Sequence, residues 1–254
     1  MSFDPVNPLE RSLVRAATDP AHRPQFYRDL MSAQIFVIEE GPIPEESGPR
    51  VLQEDHILNI RPVVVEGTTC LPIFSSLQRL QSALDREAGY IALKAADFFP
   101  LIQGSAACLN PGSDFGKILT ANEIAGLVSG AIWKPAESFT FSKDTQVLLG
   151  QPATYPHELA DSLARLFKSI PRVKRAYLAQ FCIPERGDKP NTLIAIEASG
   201  DWLEVVSQAG LVAREINVPD PPVDFHKLTS QKGLGDYFKT QEPFYERKRW
   251  FGLF

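Results

Sequence analysis

Apolar residues return along this chain with two different periods, and the alternation between them divides it into elements. After Asn7, residues Leu9, Leu13 and Ala17 recur at helical spacing, with Pro8 in the first helical position, Glu10 three residues past the cap and Asp19-Pro20 as the stop. Phe26 with Leu30 and Tyr27 with Met31 mark a second short helix over 24–31, ahead of the strand QIFVI. ILNIRPVVV and TTCLPIF read as two strands joined by a hairpin turn at Glu66-Gly67. Ser75 or Ser76 then caps a helix with the stripe Leu77, Leu80 and Leu84, followed by strand-like YIALK, a short helical AADFFPLI and the strand SAACL.

The stretch LNPGSDFGKILTANEIAGLVSG uses each residue economically. Asn110, Pro111 and Gly112 form a turn, Ile118-Leu119 a short strand, and Thr120 with Glu123 a capping box for a helix that turns Ile124, Leu127 and Val128 to the core. Gly130 terminates that helix in the left-handed region. The periodicity then lapses through AIWKPAESFTFSKDT, which sets a domain boundary near 136 to 145. Beyond it, Pro156 opens a helix whose face is Leu159, Leu163, Leu166, Phe167 and Ile170, and Pro171 stops it. VKRAYLAQFCI and TLIAIEA are strands around the polar loop PERGDKPN, and Asp201 with Glu204 makes a capping box over WLEVVSQAG. The fold class is therefore α+β: two mixed α/β domains, 1–138 and 145–254, each a small sheet packed with helices.

Composition narrows the classes of function. A formal charge of −5 and a sequence pI near 5.5 oppose a nucleic-acid partner, since only the last few residues are locally basic. Asp4 and Glu10 stand where a signal peptide needs basic residues, and no run approaches the roughly 20 apolar residues of a membrane span. Cys70, Cys108 and Cys182 are odd in number, far apart and set in apolar strands, which fits reduced thiols in the cytoplasm.

The apparent catalytic motifs dissolve on inspection. Gly112, Gly116 and Lys117 approximate a phosphate loop but lack one spacer residue, and Ile118 stands where a hydroxyl would meet magnesium. His157-Glu158-Leu159-Ala160-Asp161 has aspartate where a zinc helix needs its second histidine, and Leu159 belongs to the core face. Cys182 with Arg186 is too closely spaced for a phosphatase loop, with Pro184 offering no N–H between them, and G-x-S-x-G does not occur. No metal, cofactor or catalytic residue is assigned.

LNPGSDFGKILTANEIAGL resembles the hallmark segment of the SseB family, the enhanced serine sensitivity proteins, in which Asn, Pro, Gly and an acidic residue precede a capped helix. NPLERSLVRAATDPAHRPQFYRDL followed by QIFVI is similar to that family's opening, and ELADSLARLFKSIPRVKRAYLAQF, TLIAIEASGD and PFYER resemble its carboxy-terminal domain. The resemblance covers nearly the whole chain, implies a link to serine sensitivity, and carries no catalytic residue. With it comes the expectation of a cytoplasmic, non-enzymatic binding or regulatory module whose partner is another protein or a second copy. A thiol-dependent enzyme using Cys108 or Cys182, and an amino-acid sensor, are the alternatives. The contact residues expected are the turn Asn110, Pro111, Gly112 and Asp114, and the tail Arg247, Lys248, Arg249, Trp250, Phe251 and Phe254, where bases run into aromatics.

Overall fold

A computed structural model describes residues 3–41, 57–85, 87–134, 146–184, 189–228 and 234–248. The chain forms two compact units, Met1–Thr18 with Gln25–Ile132 and Asp19–Pro24 with Trp133–Phe254. The boundary read from the sequence falls on residues outside the described ones.

In chain order the first unit contains α1 (Pro8–Thr18), α2 (Arg23–Ser32) from Gln25 onward, β1 (Gln34–Glu39), β2 (Val63–Val65), β3 (Thr68–Ile73) and α3 (Leu77–Ser82). Then come β4 (Gly89–Lys94), α4 (Ala95–Phe98), β5 (Ala106–Leu109), β6 (Lys117–Leu119) and α5 (Ala121–Ser129). Strands β2-β3-β5-β6 make one sheet in that order, with β3 and β5 parallel and the outer pairs antiparallel. Antiparallel β1 and β4 make another, tied to the first by a bridge between Phe36 and Phe74. The hairpin at Glu66-Gly67 forms because both residues take the left-handed backbone, φ 50° and 77°, that a tight two-residue turn between twisted strands requires.

Helix α1 buries Leu9 and Leu13, but Ala16 replaces the expected Ala17 on its inner face. Ala16 lies seven residues from Leu9, near the centre of the stripe, whereas Ala17 is rotated about 100° further. The core of this unit centres on Phe26, Leu30, Ile35, Ile73, Phe98 and Leu119. Thr120 and Glu123 form the capping box of α5 reciprocally, and Gly130 closes that helix at φ 73°.

The second unit contains β7 (Leu148–Gly150), α6 (His157–Ser169), β8 (Val173–Cys182), β9 (Asn191–Ala198) and α7 (Trp202–Ala213). It ends with β10 (Val223–Lys227), α8 (Leu234–Phe238) and β11 (Tyr245–Glu246). Among the described residues its sheet has five strands, β10-β9-β8-β11 with β7 also on β8, and of these only β9 and β10 are parallel. Leu163, Phe167, Ile194, Ile196 and Val212 fill one core, while Tyr177, Phe181, Leu193 and Phe238 form another. A sheet apolar on both faces loses strict alternation, which is why β8 and β9 read as nearly continuous apolar runs.

Asp19-Pro20 does more than stop α1. Asp19 accepts a hydrogen bond from Ala21 N at 3.0 Å and pairs with Arg165 at 2.7 Å, and Ala21 joins the second unit's core. At α7, Asp201 caps the N-terminus, but Glu204 pairs with Arg172 and does not reach back, so the expected box is half formed. Two α+β units are thus the architecture.

Candidate functional site

The hallmark turn is built around Asn110, which follows β5 with φ 52° and is buried, 1% exposed. Asparagine tolerates this left-handed backbone better than other side chains. Its N–H continues the parallel ladder to Ile73 O at 2.8 Å, and its own carbonyl accepts from Ser113 N at 3.2 Å, which rounds the turn. The Asn110 amide then reaches a residue far away in sequence: Oδ1 accepts from Ser75 N at 2.9 Å and Nδ2 donates to Ser75 Oγ at 2.8 Å.

Ser75 opens onto a buried charge. Its single hydroxyl proton goes to Glu10 Oε1 at 2.7 Å, leaving its lone pairs for the Asn110 amide. Glu10 is fully buried, and it also accepts from Ser76 Oγ at 2.9 Å, Val6 N at 3.0 Å and Arg79 Nη2 at 3.0 Å. Burial pushes the Glu10 carboxyl up, but Arg79, Val6, Ser75 and Ser76 more than offset this and hold it below its ordinary value. Asn7 caps α1 by accepting from Glu10 N at 2.9 Å and anchors the same junction by donating to Ser75 O at 2.8 Å. The capping-box spacing is therefore only half used for capping, because the Glu10 carboxylate turns inward to Arg79.

The Arg79 guanidinium lies 3.7 Å from the centroid of Phe3, which meets Phe115 edge-on at 5.2 Å. Arg79 Nε is buried and has no acceptor among the described residues. At the far end of the turn, a Cβ on Gly116 would sit 2.8 Å from Leu109 O and 3.0 Å from Asn110 O. Only glycine lets the chain close so tightly on its own start. Lys117, the lysine of the apparent phosphate loop, is paired with Glu123 at 3.3 Å, and Tyr27 donates to the same carboxylate at 2.7 Å. Glu123 sits below its usual range: burial raises it, but the Thr120 N–H, Tyr27 and Lys117 more than offset that.

Of the contact residues read from the sequence, Asn110 is a correction, since it is buried and not exposed; Pro111 is half-buried, and Gly112 and Asp114 are exposed at the tip. Asn110 turns inward because its carboxamide satisfies the buried Ser75 N–H. Arg247 is spent on its own chain: Nη2 donates to Phe167 O at 2.8 Å and Ile170 O at 2.7 Å, and Nε to Val173 O at 3.0 Å, which closes the C-terminus of α6. Lys248 is exposed, and Arg249, Trp250, Phe251 and Phe254 lie outside the described residues. The two sets of contact residues belong to different units.

The thiols are unequal. Cys70 and Cys108 are buried on the neighbouring strands β3 and β5, at 2% and 3% exposure. Burial, with the nearby Cys70 and Glu66, pushes the Cys108 thiol up to about 12, and burial also raises Cys70. Cys182 is half-buried opposite Leu148, and Arg186 lies outside the described residues. His157 packs on Tyr155 at 4.8 Å, and among the described residues no three potential ligands gather for a metal. No described helix is long and apolar enough to cross a membrane.

A polar pair with little signature in the sequence joins β9 to β10. Asn191 donates to Asp224 at 3.2 Å, and burial pushes Asp224 up and His226 down. Alternating Asp and His within VDFHK is the only local sign of it.

Two units, the first organised by this buttressed turn, define the class, and comparison with known proteins assigns it. The chain belongs to the SseB family: residues 9–126 match the SseB protein N-terminal domain and residues 141–247 the SseB protein C-terminal domain. It is 35% identical over 252 residues to Protein SseB of Escherichia coli (strain K12), spanning 97% of this chain and 94% of that protein. Protein SseB of Shigella flexneri matches with the same identity and coverage. No solved structure matches significantly.

Proposed function

We propose that this protein is a cytoplasmic, non-enzymatic binding or regulatory module, acting in the serine-tolerance context of the SseB family, with the tip of the 110–116 turn as a contact surface for a protein partner. The observation that carries this reading is the construction of the turn. Its base is hydrogen-bonded to Ser75 and through it to a buried Glu10–Arg79 pair, while Gly112 and Asp114 remain exposed. A loop fixed at its base presents its tip without a large ordering cost on binding. The groups nearby that could do chemistry are engaged in holding it: Lys117 on Glu123, Glu10 on Arg79. A thiol mechanism draws no support from Cys108, whose burial and raised pKa suppress the thiolate.

The test is affinity capture from native cytosol with the full chain beside Asp114→Arg. Asp114 is exposed, so reversing its charge should leave melting unchanged while abolishing a specific protein partner. Equal recovery of every bound protein by both forms would overturn the assignment of the turn. Stabilisation of the native chain by free serine, with no protein partner, would favour the amino-acid sensor instead.

A further inference from the structure

Strand β4 has an edge whose hydrogen-bonding groups point away from the rest of its sheet, and the parity of the ladder identifies them. Phe36 exchanges both backbone hydrogen bonds with Phe74, at 2.9 Å each, so its N–H and C=O face away from β4. Its partner across the ladder is Ala92, and the two therefore form a pair without mutual hydrogen bonds. Ala95 N donates to Ala33 O at 3.0 Å, which fixes the same parity independently. The odd residues of β4 bond to β1, and Tyr90, Ala92 and Lys94 direct N–H and C=O outward. Among the described residues no strand pairs with that edge.

The side chains favour a particular occupant. Tyr90, Ala92 and Lys94 are exposed, and Ile91 and Leu93 remain half-buried although the residues they face, Val37 and Ile35, are 1% and 0% exposed. Apolar side chains left half-covered at an open strand edge are completed by another strand. We propose that this strand is β4 of a second copy, antiparallel about a two-fold axis through Ala92. In that register Ala92 meets Ala92, the smallest pair at the centre, and the three outward-facing residues bond only to one another. Ile91 lies opposite Leu93, extending the apolar row, and the Lys94 ammonium lies over the Tyr90 ring of the other copy. The two lysines stand at opposite ends, so the register places no like charges across from each other. A foreign strand would have to supply these features separately; the edge already complements itself.

One added strand pair buries less than a standard interface, so the dimer is concentration-dependent. It is measured by light scattering of the full chain across a wide concentration range, with amide hydrogen exchange at both ends of that range. The expected result is a rising mass, with the amides of Tyr90, Ala92 and Lys94 slowing as concentration rises while those of Ile91 and Leu93 stay protected throughout. Ala92→Pro removes an N–H that β1 does not use and should weaken the dimer at least ~10-fold. Should that variant fail to fold, Ala92→Lys sets like charges against each other at the axis and has the same expected effect.

A chain monomeric at every concentration overturns the inference, as does exchange at 90, 92 and 94 that ignores concentration, or a dimer surviving the folded variants. The edge of β4 and the turn at Asp114 share no residue: a monomer that still captures an Asp114-dependent protein removes the dimer and leaves the proposed function standing.

Discussion

Replacing Glu10 by alanine is the perturbation whose magnitude the structure defines best. Glu10 is 0% exposed and its partner Arg79 only 12%, so the substitution leaves a largely buried guanidinium without its counter-ion. Breaking a buried pair from one side costs about 3–5 kcal/mol, mostly through the charge left behind. Ser76 Oγ and Val6 N lose their acceptor as well, whereas Arg79 Nη2 keeps the Asp4 carbonyl, which favours the lower end of that range. About 3 kcal/mol corresponds to a fall of roughly 10 °C in the melting temperature of a unit of this size. Urea unfolding followed by circular dichroism measures it, with a lowered midpoint and an unchanged slope as the expected signature. Arg79→Met should rescue part of the loss in the double variant, since removing both charges removes the orphan. A destabilisation below about 1 kcal/mol, or strict additivity of the two changes, would refute the claim that this pair holds the turn.

Acid should weaken the first unit: Glu10 and Glu123 lie below their ordinary values in the folded chain, so their stabilisation is complete above the unfolded carboxyl pKa of about 4.3 and is lost as pH falls through the lowered values. Glu10→Gln should flatten that part of a pH series of melting temperatures. Arg247→Ala frees the terminal carbonyls of α6 and should lower stability by about 2 kcal/mol in thermal melts; truncation after Lys248 spares this cap, and truncation after Glu246 reproduces the loss. Gly116→Ala drives a Cβ against two backbone carbonyls and should destabilise by about 1–3 kcal/mol in the same assay. Cys108 should resist iodoacetamide in the native chain at neutral pH and react once unfolded, as mass spectrometry of the modified peptide would register.

Features set by near neighbours were legible in the sequence. The Thr120–Glu123 box, the Gly130 terminator and the Glu66-Gly67 turn each depend on residues within a few positions, and all formed as their spacing implied. Turn residues such as Asn110 are usually exposed, and its local sequence implies nothing else; its burial depends on Ser75, 35 positions away. Glu10 carried a second, hidden role for the same reason: its spacing from Asn7 fits a capping box, while its carboxylate serves Arg79, 69 positions on. Arg247 looked like part of a basic patch, and only the meeting of β11 with β8 brings it to the end of α6. The double-sided burial of the second sheet likewise erased the alternation that would have assigned inner and outer faces of β8 and β9.

The most direct test of the proposed function is a photoreactive amino acid placed at position 114 in living cells, beside the same residue at exposed position 158 on α6. The binding reading predicts a discrete covalent adduct with another protein from position 114 and none from position 158. No adduct at 114, or the same adducts from both positions, would contradict it.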